Sequence, residues 1–246
     1  MSRVLLEVCT EGLDGVLAAA EAGAPRVELC ASLFTGGLSP SPGVATEACR
    51  VPGIEVMCMV RPREGDFCYT DAELRGMLAD IDAYKAAGAT GVVFGVLLPD
   101  GTVDESRTAR LIARARPMSM TFHRAFDVTR DPYEALDALL RIGVDRVLTS
   151  GQRATAPEGA PLIAALVRHS AGRLTILPGC GITPDNVGAL LRSTGVREVH
   201  ATAFARTDSP MQHRNPEVYM GAPGLEEFER EVTSVAEVRR MLAALP

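Results

Sequence analysis

Short runs of β-branched and apolar residues recur along the chain. Each is followed by a longer alanine- and leucine-rich stretch whose apolar positions repeat at helical spacing. This pattern predicts strands at 4–8, 26–29, 54–60, 91–96, 119–122, 146–148, 174–177 and 198–201. Helices are predicted at 13–22, 44–50, 71–87, 105–115, 132–142, 160–170, 186–193 and 234–245. The tripeptides Ala22-Gly23-Ala24, Ala87-Gly88-Ala89, Ile142-Gly143-Val144 and Thr194-Gly195-Val196 stand just before strands, where glycine stops the preceding helix. Eight strand–helix units spaced by roughly 25–35 residues are the rhythm of parallel strands with crossover helices, and about 250 residues is the usual length of a closed eightfold barrel. An open doubly wound sheet would carry a glycine-rich dinucleotide fingerprint after its first strand, and none is there. The expected fold is α/β, a TIM-type (β/α)8 barrel, with residues 1–246 forming one domain. Two segments break the rhythm: the loop at 32–43 and a long insertion at 204–229 after the eighth strand. Structureless stretches of that length serve as functional loops, lids or oligomer contacts.

Composition narrows the function. Hydrophobic residues make up 47% of the 246 and charged residues 23%, enough apolar surface for a sizeable core. A net charge of -6 argues against a nucleic-acid partner. No apolar run is long enough to span a bilayer, and Glu7 interrupts the N-terminal apolar stretch too early for a signal peptide. Six cysteines without a CxxC pair suggest reduced thiols and a cytoplasmic protein.

In a barrel of this kind the working residues lie at the C-terminal ends of the strands. Read in order, those ends supply Glu7 and Cys9, Glu28 and Cys30, then Arg61 and Arg63 with Asp66 behind them. His123, Arg124 and Asp127 follow strand five, Thr149-Ser150-Gly151 strand six, Gly179-Cys180-Gly181 strand seven, and His200 lies on strand eight. Residues two apart share a face, so Glu7 carries Cys9 inward, Glu28 carries Cys30, and Arg61 carries Arg63. Cys58 has the opposite parity and belongs to the core. His123, with Asp127 and Arg124 to tune it, is the candidate general acid or base, and Glu28 or Glu7 its counterpart. Arg61 and Arg63 offer guanidinium forks for a carboxylate or phosphate. Asp66, Arg124, Ser150, Gly151, Gly179, Gly181 and His200 complete the candidate substrate-binding set. The alternative reading is structural: Glu7–Arg61 or Glu28–Arg63 as an ion pair at the barrel mouth, and the glycines as tight turns.

Cys9, Cys30 and Cys68 fall at three successive strand ends, where soft sulfur ligands could hold Cu(I) with a thioether from Met211 or Met220. Equally, buried cysteine packs as a small hydrophobe.

Together, Arg26-Val27-Glu28-Leu29-Cys30-Ala31, Gly36-Gly37-Leu38-Ser39-Pro40-Ser41, Arg61-Pro62-Arg63, Gly65-Asp66-Phe67-Cys68-Tyr69 and Thr121-Phe122-His123-Arg124-Ala125-Phe126-Asp127 resemble the CutC family. Val147-Leu148-Thr149-Ser150-Gly151 and Glu198-Val199-His200 continue the match in order. The resemblance implies a cytosolic, homo-oligomeric TIM-type barrel with a role in copper homeostasis and a copper ion as ligand. His213 departs from it, standing where an aromatic such as tyrosine is expected. Two further readings stand beside copper handling. One is an enzyme acting on a small anionic metabolite, phosphorylated or carboxylated, by a lyase, isomerase or hydrolytic reaction. The other is a non-catalytic oligomeric scaffold. The hard charges favour an anion, because two close arginines repel a cation.

Overall fold

In the computed structural model, which describes residues 4–215, 217–218 and 227–246, eight parallel strands form one nearly closed sheet. They are β1 (Leu5–Glu11), β2 (Arg26–Cys30), β3 (Glu55–Met59), β4 (Gly91–Phe94), β5 (Ser119–Phe122), β6 (Arg146–Thr149), β7 (Thr175–Pro178) and β8 (Glu198–Thr202). Their order is β7-β6-β5-β4-β3-β2-β1-β8, with β1 pairing in parallel to both β2 and β8. The helices are α1 (Gly12–Ala22), α2 (Pro42–Ala48), α3 (Asp71–Ala87), α4 (Glu105–Ala115), α5 (Pro132–Ile142), α6 (Ala160–Ser170), α7 (Val187–Thr194) and α8 (Val235–Ala243).

Local signals set these boundaries. Thr70 caps α3 by accepting from the backbone N–H of Glu73, whose carboxylate accepts in return from the Thr70 N–H. At the other end Gly88 takes the left-handed conformation, with φ of 86°, and stops the helix. Gly23, Gly143 and Gly195 end α1, α5 and α7 in the same way, so the recurrent glycines are the stop signal of the repeated unit.

Strand parity divides the chemistry. Leu6, Val8, Val27, Leu29, Val56, Cys58, Val92 and Phe94 face outward and pack with the helices in the main core. The alternate residues line the barrel interior, where Cys9, Cys30, Met57, Met59 and Val93 form a smaller apolar cluster. Below it lies a floor of ion pairs. Arg26 donates through Nε to Glu7 Oε2 at 2.5 Å and through Nη2 to Glu198, while Arg146 Nε reaches the same Glu198 oxygen at 2.8 Å. No ladder of backbone bonds joins β7 to β8 among the described residues. Glu198 therefore ties β2 and β6 to β8 across the open seam. Such a network is retained because removing one partner strands a buried charge.

Part of the segment after β8 forms a two-stranded ribbon. Phe204–Asp208 (β9) pairs antiparallel with Glu229–Thr233 (β10), and Arg206 bridges Glu229 at 3.0 Å. β-Branched Thr207, Val232 and Thr233 favour a ribbon here. Tyr219, Met220 and Pro223 lie outside the described residues.

Candidate functional site

At the C-terminal ends of the strands the barrel opens into a cavity of about 620 Å³. Its lining includes Cys9, Glu28, Arg61, His123, Arg124, Asp127, Gly181 and His200. Its apolar lining comes from Leu33, Met59, Phe67, Leu148, Ile182 and Phe204, spread around the mouth. At its base, β1, β2 and β8 bring Cys9, Glu28, Cys30 and His200 together from positions far apart in the chain. Cys9 Sγ and Cys30 Sγ lie 3.4 and 3.5 Å from the same oxygen, Glu28 Oε2. The two sulfurs and a Glu28 carboxylate oxygen all fall within 4.8 Å of one another. His200 Nδ1 sits 2.8 Å from Glu7 Oε1, and its Nε2 faces Glu28 Oε2 at 3.8 Å.

Burial and charge set the protonation of this cluster. Burial pulls the Glu7 carboxyl up, but the His200 hydrogen bond and the charge of Arg26 outweigh it and hold the pKa at about 2. Burial likewise opposes a charge on His200, yet the acidic groups of Glu28, Cys9 and Glu7 push its pKa well up. The Cys30 thiol bonds to Cys9 and drives the two apart: the Cys9 pKa falls and the Cys30 pKa rises. Cys9 is thus the more acidic of the two thiols at the barrel base, beside a histidine that favours its charged form and a Glu28 carboxyl pushed up by burial.

Higher up, His123 Nδ1 accepts from the Ala125 N–H at 3.1 Å, which leaves the proton of the neutral ring on Nε2. Burial, then the nearby Arg61 charge, lower this histidine to about 3. Its ring stacks 4.9 Å from Phe67, and Arg61 Cζ lies 5.2 Å from the same ring. A side chain at Gly95 would stand 2.6 Å from His123 Nδ1, so only glycine lets the imidazole occupy this place. Gly179 serves His200 similarly, since a Cβ there would approach its ring to 3.1 Å.

Other candidates are held differently from what parity suggests. Arg63 turns away from the cavity to Glu73 at 2.6 Å and Asp66 at 3.0 Å, and its backbone-carbonyl partners include Cys68. The Arg63–Asp66 pair therefore shapes the loop after β3, because Pro62 and that loop end the strand alternation. Cys68 packs against the outer core and is not among the sulfurs at the barrel base. Neither Glu7 nor Glu28 pairs with an arginine at the barrel mouth: Glu7 takes Arg26, its register partner on β2. Asp127 accepts from Ser150 N and Oγ, each at 2.9 Å, and from Gln152 N at 3.1 Å, and it pairs with Arg124 at 2.8 Å. Gly151 N–H is used as well, donating to Thr149 Oγ1 at 2.8 Å. Gly151 itself packs against the backbone of Gly159, and Gly181, at φ of 70°, against Thr155. Met211 and His213 are exposed on the segment beyond β9.

The family model for the CutC family matches residues 4–205. The chain belongs to the CutC family. Among its relatives, a CutC family protein of Mesorhizobium japonicum is 49% identical over 98% of this chain and 93% of its own length. The copper homeostasis protein cutC homolog of Homo sapiens is 44% identical over 97% of this chain and 88% of its own. A crystal structure of CutC from Streptococcus agalactiae superposes with a TM-score of 0.77 at 34% identity, covering 80% of this chain and 98% of that one. Phosphoribosylanthranilate isomerase of Thermotoga maritima, at 12% identity and a TM-score of 0.57, shares the barrel fold alone. For a CutC family member, residues that sequence motifs left without a role here acquire one. Phe67 touches both Arg61 and His123, and Arg26 with Glu198 carries the ionic floor. Extending strand parity one step toward the N-terminus, from Glu28 to Arg26, would have found the latter.

Proposed function

We propose that this chain binds Cu(I) between Cys9 and Cys30 and acts in copper homeostasis, in the reducing cytosol and as a homo-oligomer. The observation that carries the reading is the convergence of two buried sulfurs on one carboxylate oxygen at the base of a cavity. Soft sulfur ligands select Cu(I) over harder divalent ions, and a copper ion would replace the proton the two sulfurs otherwise share. Metal binding releases that proton and leaves the net charge of the sulfur pair unchanged, with His200 facing Glu28 beside it at 3.8 Å. The copper homeostasis name of the human relative supports the same ligand. No helix among the described residues is long and apolar enough to cross a membrane, and all six cysteines are free, as copper handling in a reducing compartment requires.

The test is anaerobic competition for Cu(I) against a chromophoric chelator. The wild-type chain is expected to take one ion, Cys30→Ser to lose it, and Cys68→Ser to retain it. Unchanged stoichiometry in Cys30→Ser would overturn the assignment.

A further inference from the structure

Arg61 is a buried cation held without an anion. Its Nη1 donates to the carbonyls of Thr35 and Gly37 and its Nη2 to that of Gly65, each at 3.0 Å. Among the described residues no carboxylate pairs with it, and its Nε makes no hydrogen bond of good geometry, with the buried Tyr69 hydroxyl as the guanidinium's one polar side-chain neighbour. A buried charge satisfied only by neutral carbonyls is costly, and the cost falls when an anion arrives. His123 Nε2 is equally buried and unpartnered, on a residue 4% exposed. A third orphan, Glu28 Oε1, belongs to the same cavity. Three unsatisfied polar atoms on residues that line one cavity mark a place built for a ligand.

We propose that the upper part of this cavity, above the thiols, binds a small organic monocarboxylate that also carries a hydroxyl group. The carboxylate meets Arg61 Nε–H and His123 Nε2–H, the hydroxyl meets Glu28 Oε1, and the carbon skeleton lies against Phe67 and Leu148.

Charge distinguishes this ligand from a phosphate. Arg61 supplies one fixed positive charge, and His123, neutral because burial and Arg61 depress it, adds a hydrogen bond without a second charge. Arg124 is already neutralised by Asp127 at 2.8 Å. The backbone N–H groups that cradle phosphate at the end of β6 in other barrels are consumed here. Ser150 and Gln152 donate to Asp127, and Gly151 donates to Thr149. His200, lower in the cavity, is already paired with Glu7, so above the thiols Arg61 is the cation left to compensate one negative charge and not two.

The proposal is independent of copper and is tested on copper-free protein. With 15N-labelled full-length chain, the Arg61 Nε–H resonance, assigned with Arg61→Lys, is followed during titration with lactate, acetate and inorganic phosphate. Lactate is expected to shift it saturably, acetate more weakly for want of the hydroxyl, and phosphate at least tenfold more weakly than lactate. His123→Phe keeps the ring against Phe67 and removes the donor. It should weaken lactate binding tenfold or more, the loss expected for one hydrogen bond to a charged group. The proposal is overturned by phosphate binding tighter than lactate, by no movement of the Arg61 signal with either carboxylate, or by undiminished lactate affinity in His123→Phe. If Arg61→Lys does not fold, the His123→Phe comparison, read by calorimetry, decides alone.

Discussion

Glu7 Oε1 and His200 Nδ1 lie 2.8 Å apart across the β1–β8 pairing, where Glu7 and His200 stand in register. Through its other oxygen Glu7 holds Arg26, so one carboxylate joins the ionic floor to His200 and the sulfurs at the barrel base. Its fixed contact on Nδ1 orients the imidazole and leaves Nε2 toward Glu28.

Acid should unfold the protein through this carboxylate. The Glu7 pKa in the folded chain is about 2 against an ordinary 4.5. A depressed carboxyl contributes stability that is full above its unfolded pKa and is lost as pH falls from 4.5 toward 2. The amount is roughly 3 kcal/mol. Urea unfolding at a series of pH values should show this loss, and Glu7→Gln should flatten the acid limb while costing about 3 kcal/mol at neutral pH. An acid limb unchanged in Glu7→Gln would show that other carboxylates govern it.

The eight-unit rhythm and its glycine stops were legible because strand and helix periods are local properties of the chain. Parity placed Glu7, Cys9, Glu28 and Cys30 inside for the same reason. It failed at Arg63, where Pro62 and the loop after β3 break the alternation and Glu73 at the head of α3 captures the guanidinium. The role of Asp127 was also hidden. Its partners at 149–152 belong to the next strand–helix unit, and only the closed sheet brings them within reach. The β9–β10 ribbon joins strands far apart in sequence, and prolines between them obscured it.

Asp127 is placed to fix a loop rather than to move protons. Asp127→Asn keeps the shape of the side chain but turns two of its acceptor positions into donors facing N–H groups. A loss of about 2–3 kcal/mol in denaturant unfolding is expected, with Cu(I) stoichiometry unchanged. Loss of copper without loss of stability would contradict this placement.

His123 gives a second pH signature at milder acidity. Its folded pKa is about 3, below the ordinary 6.5, so protonation favours the unfolded chain between those values. Stability is full above pH 6.5 and declines as pH falls toward 3, by up to a tenfold change in the folding constant per pH unit. His123→Phe should remove this component from unfolding curves measured between pH 7 and pH 4.5. Direct titration of the ring by NMR should find it neutral throughout that interval.

Copper K-edge X-ray absorption on the Cu(I)-loaded chain tests the central claim most directly, because it counts the atoms around the metal. Two sulfur scatterers are predicted in the wild type and in Cys68→Ser, whereas Cys30→Ser should retain no stoichiometric copper at all. A first shell of nitrogen and oxygen alone, or a sulfur shell that survives in the Cys9→Ser, Cys30→Ser double variant, would contradict copper binding at the base of the barrel.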